Sequence, residues 1–394
     1  MKKVVYLDSN YVSKRHPNGI KDGDKFYTYG FASIYARKFK LYNSDFEVEC
    51  WKTDPRIDKI YQKEIEGVKY IVFPSINIKK LGHFSKSLIK KLKEENSVDN
   101  KIIYNISSMR HLLFYSVAYN LKNNPLVIQN HGEATAYFKN KINRGLKKLF
   151  YLAQVPIEKR VFKNVDIFFI LDNDLIEYIP KSNRNIKIIK STTGVDENIF
   201  KSIDKTEAKK ILDWDTSKKH ILYVGRLNYT KRTDLLISIH KEFQLNGRKD
   251  IEIVFAGTEK DDILYKEAEK AGIRIYPKIL MTELYKYLSA ADVYVLPDYA
   301  DDMKFLGIGM LPVQAMLCNT PVVGYSLKNY VDKIENIGVL AKDKQSIKDA
   351  IIKIIDKKIN FNNLRETAIS FYSWKNVSER TRKKYDNLIL KYSK

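Results

Sequence analysis

The chain is poor in several things that would place it quickly. Two cysteines in 394 residues, Cys50 and Cys318, cannot make a disulfide framework, so a reducing compartment is the simpler reading. No window approaches the roughly 20 consecutive apolar residues of a membrane-spanning helix. The apolar run after Met1-Lys2-Lys3 stops at Asp8, short of the about 7–15 residues of a secretion signal. The expectation is therefore a cytoplasmic protein, attached at most peripherally to the inner face of a membrane. Tandem repeats and low-complexity tracts are missing. So are zinc-ligand spacings, RNA-binding aromatic motifs and basic heptads, and a nucleic-acid partner is not expected.

Acids are also scarce relative to bases: Lys+Arg 70 against Asp+Glu 47, a formal charge of +23. The excess is heavier in residues 1–200, with 35 basic and 21 acidic side chains. What the chain has in quantity is apolar and aromatic residues, 44 % and 12 %. That is enough to build cores, and the length suits two domains.

Short apolar runs alternate with segments of helical period. Lys3–Leu7, Glu47–Trp51, Tyr70–Phe73, Lys101–Tyr104, Leu126–Gln129, Ile167–Leu171 and Ile186–Ile189 read as strands. Their near-continuous hydrophobicity suits a parallel sheet covered on both faces. Tyr27–Lys40 and His111–Leu121 read as helices between them. The pattern restarts with strands at Ile221–Gly225, Ile251–Ala256, Val293–Leu296 and Pro321–Val323. Helices follow at Thr233–Leu245, Asp262–Ala271, Thr282–Ala290 and Gln345–Lys357. This is βα alternation in two halves, joined across the polar stretch Gly194 to Lys219, with another helix from Phe371 to Lys394. Ligands of such sheets bind outside the carboxyl ends of the strands.

Two motifs carry chemistry. In Val224-Gly225-Arg226-Leu227, a strand ends at a glycine, and Arg226 and Lys231 stand five apart before a helix. Two cations beside free backbone N–H groups make an anion site suited to a diphosphate. In Gly307-Ile308-Gly309-Met310, glycines let a backbone approach a phosphate, and a helix starting near Leu311 would point its N-terminus there. Gln314, one turn in, could hydrogen-bond a ribose. Leu7-Asp8-Ser9-Asn10 after the first strand is not the GxGxxG that a dinucleotide-dependent oxidoreductase needs.

The order of these pieces resembles the nucleotide-binding domain of family-4 retaining glycosyltransferases. The resemblance opens at Thr193-Gly194-Val195-Asp196 and Asn198-Ile199-Phe200. It runs through Gly225-Arg226-Leu227 with Lys231, Phe255-Ala256-Gly257, the stretch Tyr287 to Pro297, Gln314-Ala315-Met316 and Pro321-Val322-Val323. It ends at Phe371-Tyr372-Ser373-Trp374. It implies the α/β GT-B fold: two Rossmann-like doubly wound domains facing a central cleft, with a C-terminal helix crossing back to the N-terminal domain. The implied domains are 1–195 for the acceptor, 196–372 for the nucleotide sugar, and 373–394 for that helix.

The resemblance also implies roles. Arg226 and Lys231 would hold the departing diphosphate, and the backbone of Gly225, Gly307, Ile308, Gly309 and Met310 would face the donor, with Gln314 on the ribose. The family has a glutamate pair around the glycine turn. Here Gln314 stands for the second, and the first falls on Leu306 or, with an insertion of about five residues, on Asp301 or Asp302. His131, in Asn130-His131-Gly132 after a strand, would face the donor sugar, and Glu133 the acceptor. Gly19 or Gly23 would match the family's acceptor-side glycine loop. The implied activity is a metal-independent hexosyltransferase, retaining, by front-face attack, with UDP or GDP carrying the sugar and no further cofactor. The setting would be cell-surface polysaccharide or glycoconjugate assembly. Asp22-Gly23-Asp24 has a metal-site spacing but lies in the wrong half, and reads as a loop. Departures at Leu306 and Gln314 keep a non-catalytic binding subunit as the rival reading. Two lysine-rich apolar segments, 79–93 and 138–150, suit an anionic membrane surface and a lipid-linked acceptor.

Overall fold

The computed structural model describes residues 2–8, 16–78, 82–96, 101–107, 112–121, 123–131, 135–170, 176, 179, 186–190, 193–297, 309–325, 327 and 336–393. Contacts divide the chain into two units: Met1–Thr192 with Val377–Lys394, and Thr193–Asn376. These limits differ from the expected 195/196 and 372/373 because both ends of the second unit are held to each other. The Val195 N–H donates to the Tyr372 carbonyl at 2.8 Å, and Gly194 lies so close to the Trp374 ring that a Cβ there would clash.

In the first unit, β1 (Lys2–Leu7) is followed by α1 (Asp24–Thr28), α2 (Phe31–Tyr42), β2 (Phe46–Asp54), β3 (Tyr61–Ile65) and β4 (Val68–Pro74). A hairpin, β5 (Ile76–Ile78) and β6 (Gly82–Phe84), leads to α3 (Lys86–Glu95), β7 (Ile102–Ile106), α4 (Leu112–Asn120) and β8 (Leu126–Gln129). Then come α5 (Ala136–Ile142), α6 (Gly145–Phe162), β9 (Ile167–Ile170) and β10 (Lys187–Lys190). The main sheet runs β10-β9-β8-β7-β1-β2-β4-β3, parallel except for β3. Strand β3, unexpected from the sequence, turns back antiparallel through Glu66 and Gly67, both at positive φ. It is a charged edge strand, Tyr-Gln-Lys-Glu-Ile, with no apolar run to betray it.

The helix expected over Tyr27–Lys40 is two helices. Gly30, at φ +95°, separates α1 from α2, and a Cβ there would press on Asp8. The carbonyls freed at the break are taken by buried Lys52, whose Nζ donates to Phe26 O at 2.9 Å and Tyr29 O at 2.5 Å. Helix α14 (Trp374–Tyr392) contributes its later turns to this unit. The fully buried Tyr385 accepts from Asn105 Nδ2 at 2.7 Å. Arg382 pairs both oxygens of Asp45 at 2.7 and 2.8 Å, and Lys391 and Tyr392 both reach Asp166.

The second unit places α7 (Lys205–Ile211) before β11 (Lys219–Val224), α8 (Thr233–Leu245), β12 (Ile251–Thr258), α9 (Tyr265–Lys270), β13 (Arg274–Pro277) and α10 (Leu284–Ala290). β14 (Val293–Val295), α11 (Leu311–Leu317), β15 (Val322–Val323), β16 (Gly338–Val339), α12 (Lys344–Ile355) and α13 (Leu364–Tyr372) complete it. Its sheet is wholly parallel, in the order β13-β12-β11-β14-β15-β16. That is a doubly wound Rossmann arrangement whose direction reverses between β11 and β14. β13 and β16 escaped the sequence reading: the first is half-exposed and the second two residues long.

Candidate functional site

The Gly225–Lys231 motif of the second unit begins at the carboxyl end of β11, beside that reversal, which is where such sheets bind ligands. β11 ends at Gly225, whose φ of +142° favours glycine and whose N–H donates to Ala256 O at 2.9 Å. The next residue, Arg226, is 63 % exposed, yet it is fixed: its Nε donates to Asp262 Oδ1 at 2.8 Å. The other oxygen of Asp262 accepts the N–H groups of Leu227 at 2.9 Å and Glu259 at 3.0 Å. Burial opposes ionisation of Asp262, but the two N–H groups and the guanidinium outweigh it and hold the carboxyl below its usual range. A buried carboxylate thus anchors one edge of the guanidinium and leaves the rest toward water. Lys231 closes a 3₁₀ turn, Tyr229–Lys231, capped by Asn228, whose Oδ1 accepts the Lys231 N–H at 2.8 Å. Its side chain is exposed.

Across the reversal, β14 leads to residues 298–308, which lie outside the described part. Asp301, Asp302, Leu306, Gly307 and Ile308 are among them. Gly309 and Met310 precede α11, which is only seven residues long. Gln314, 9 % exposed on its first turn, has its Oε1 buried without a hydrogen-bond partner. A buried acceptor left unpaired costs on the order of 1–3 kcal/mol, so this atom wants a donor.

In the first unit, the loop holding the glycine candidates is stapled shut at the carboxyl end of β2. Fully buried Asp54 accepts from Arg56 Nε at 2.7 Å and Nη2 at 3.1 Å, and Arg56 Nη1 donates to the carbonyls of His16 and Pro17. Gly19, at φ +62°, packs so tightly on this pair that a Cβ would collide with Asp54; Gly23, at φ +64°, faces open space. Asp22 bonds Asn18 and Asp24 pairs Lys63, each held within the unit's own side chains. Glu133 lies outside the described residues. His131 follows β8 and stacks on Phe31 with ring centroids 4.0 Å apart, with Tyr35 alongside. Both its ring nitrogens are enclosed without partners, and burial pushes its pKa down to about 3, so the imidazole is neutral.

Residues 204–371 match the family described as glycosyl transferases group 1. Most of the second unit thus resembles a group 1 glycosyltransferase domain. One relative is the lipopolysaccharide core biosynthesis mannosyltransferase LpsB of Rhizobium meliloti, 28 % identical over 45 % of this chain and 55 % of that one. Among solved structures, sucrose-phosphate synthase from Thermosynechococcus elongatus aligns over 99 % of this chain and all of the other, with TM-score 0.65 and 16 % identity. HepE from Anabaena, solved in complex with UDP, aligns over 98 % of this chain and all of its own, with TM-score 0.66 and 15 % identity. These place both units in the GT-B fold. The chain spans between a third and just over half of the length of the first curated relatives it matches.

The second unit owes several of its motif residues to folding rather than to a ligand. Asp292 lies at the amino end of β14, on the edge away from Arg226. It accepts from the His220 N–H at 3.0 Å and from Lys209 Nζ at 3.0 Å, tying β14, β11 and α7 together. Arg365 clamps the opening phrase by donating to the carbonyls of Glu197, Phe200 and Leu317. The sequence reading missed Asp262. Its only advance signal was position: an acid in the loop after β12, the strand next to β11.

Proposed function

We propose that the chain transfers a hexose-type sugar from a nucleotide-diphosphate donor to a glycan or lipid-linked glycan, with retention and without a metal. The observation that carries this reading is the exposed Arg226 anchored by Asp262 at the point where the sheet order reverses. As the bond from the sugar's anomeric carbon to the diphosphate breaks, charge builds on the leaving oxygens. A guanidinium already held in place, with Lys231 in the same loop, stabilises that charge without reorganising. The acceptor oxygen attacks from the face the diphosphate leaves, and its proton passes to a diphosphate oxygen. The Oε1 of Gln314 is an acceptor suited to a ribose hydroxyl. Neutral His131 suits a sugar environment better than a charged one, and Asp301 or Asp302 takes the donor-sugar contact. Glu133 and the loop of Gly19 and Gly23 serve the acceptor. The reading includes a role in cell-surface glycoconjugate assembly at the cytoplasmic face.

A nucleotide panel tests it. UDP, GDP, ADP and CDP are compared by thermal shift, and one of them, UDP or GDP first, stabilises the protein by mass action. Arg226→Ala and Lys231→Ala remove that shift. The substitution of glutamine at Gln314 favours a second reading, a non-catalytic binding subunit. Nucleotide binding that survives Lys231→Ala, with no turnover of any nucleotide sugar, selects it.

A further inference from the structure

Helix α6 carries an apolar face that the described residues leave exposed. At 100° per residue, Leu146, Leu149, Phe150 and Ile157 line one side. They are 85, 61, 49 and 54 % exposed. The opposite side, through Val155, Glu158 and Phe162, faces inward, and Glu158 fixes α5 against α6 by accepting the N–H groups of Ala136 and Tyr137 at 2.8 Å. Toward its carboxyl end, the exposed face runs into an apolar groove of about 490 Å³, where Ile157 and Val161 meet Phe84, Ile89 and Tyr115. Lys93 and Arg160 stand in its lining.

The charge around this face has one sign. Residues 134–157 hold Lys139, Lys141, Arg144, Lys147 and Lys148 and no carboxylate. Lys139 lies over the Tyr151 ring and Lys141 over the Tyr137 ring, which holds these cations at the α5–α6 pair. A second copy of the chain would oppose like charges across a symmetric contact. The other lysine-rich segment differs: in α3 the apolar residues Leu88, Ile89 and Leu92 are inside the core, leaving lysines and Glu94 outward.

We propose that α6 docks the chain on an anionic lipid bilayer, inserting Leu146, Leu149 and Phe150 while the lysines meet headgroups. Interfacial helices bind by this combination of apolar insertion and cationic attraction, each cation contributing roughly fivefold. The inference concerns a surface remote in sequence from the diphosphate loop and stands whether or not the transfer reaction does.

Sedimentation of the full chain with phosphatidylcholine vesicles, with and without 30 % phosphatidylglycerol, tests it. Expected is binding to the anionic vesicles alone, weakened more than tenfold at 0.5 M salt. Leu149→Glu with Phe150→Glu abolishes it, and Lys147→Gln with Lys148→Gln weakens it at least tenfold, both with an unaltered melting temperature. The residues are exposed, so the fold survives. Failure of the wild type to bind anionic vesicles overturns the proposal. So does binding that the Leu149/Phe150 variant retains, or a dimer that this variant dissociates in the absence of any vesicle binding.

Discussion

The two units share a doubly wound architecture but treat their carboxyl edges differently. In the first, the ionic groups there satisfy one another: Asp54 takes Arg56, Arg56 takes loop carbonyls, Lys52 closes a helix end. His131 is stacked and neutral. In the second, Asp262 takes only one edge of Arg226, and Gln314 keeps an orphan acceptor. Among the described residues, the first edge pairs its ions within the chain and leaves only neutral groups such as the His131 ring without partners, whereas the second leaves a cation open to water. The same architecture thus presents a neutral edge in one unit and a cationic one in the other, according to which charges find partners within the chain.

The largest effect tests that contrast directly. Arg226→Ala with Lys231→Ala lowers sugar-donor turnover about 10²–10³-fold, measured by release of the nucleotide diphosphate, with only a small drop in melting temperature because Asp262 keeps the N–H groups of Leu227 and Glu259. Wild-type turnover in this variant would break the comparison. Next is Asp292→Ala, on the opposite edge of the same sheet. It strands Lys209, 5 % exposed, without its ion partner and costs about 3 kcal/mol in urea unfolding, with no effect on nucleotide affinity in the protein that remains folded.

His131 supplies a pH test. Its folded pKa, about 3, lies below the 6.5 of an ordinary histidine, so between these values the unfolded chain binds the proton and the native state does not. Its stabilising effect is complete above pH 6.5 and is lost as pH falls toward 3. About 2 kcal/mol should disappear by pH 5, and His131→Phe should flatten that part of the urea-unfolding profile. The smallest effect is Tyr385→Phe, which removes the acceptor of Asn105 Nδ2 in the first unit at a cost of about 1 kcal/mol by thermal unfolding.

Strands whose apolar runs are uninterrupted were readable, and Leu126–Gln129 and Thr233–Leu245 coincide with observed elements. Elements defined by a partner were not: β3 exists because β4 offers it an edge, and α1 and α2 part because Gly30 must clear Asp8 and Lys52 fills the gap. The Gly225–Arg226 loop was legible because a strand, a glycine and a cation are consecutive in the chain. Asp262 was not, because its role comes from a neighbouring strand 36 residues away.

By itself, the sequence determined the alternation of apolar runs and helical periods, hence two α/β units, and it placed the cations of one loop together. Those are local properties, set by adjacent side chains and their spacing. The tertiary structure decided which strands neighbour one another, and so where the sheet reverses, which acid anchors Arg226, and that the apolar face of α6 stays bare while that of α3 is buried. These depend on packing between segments distant in the chain, which no local pattern encodes.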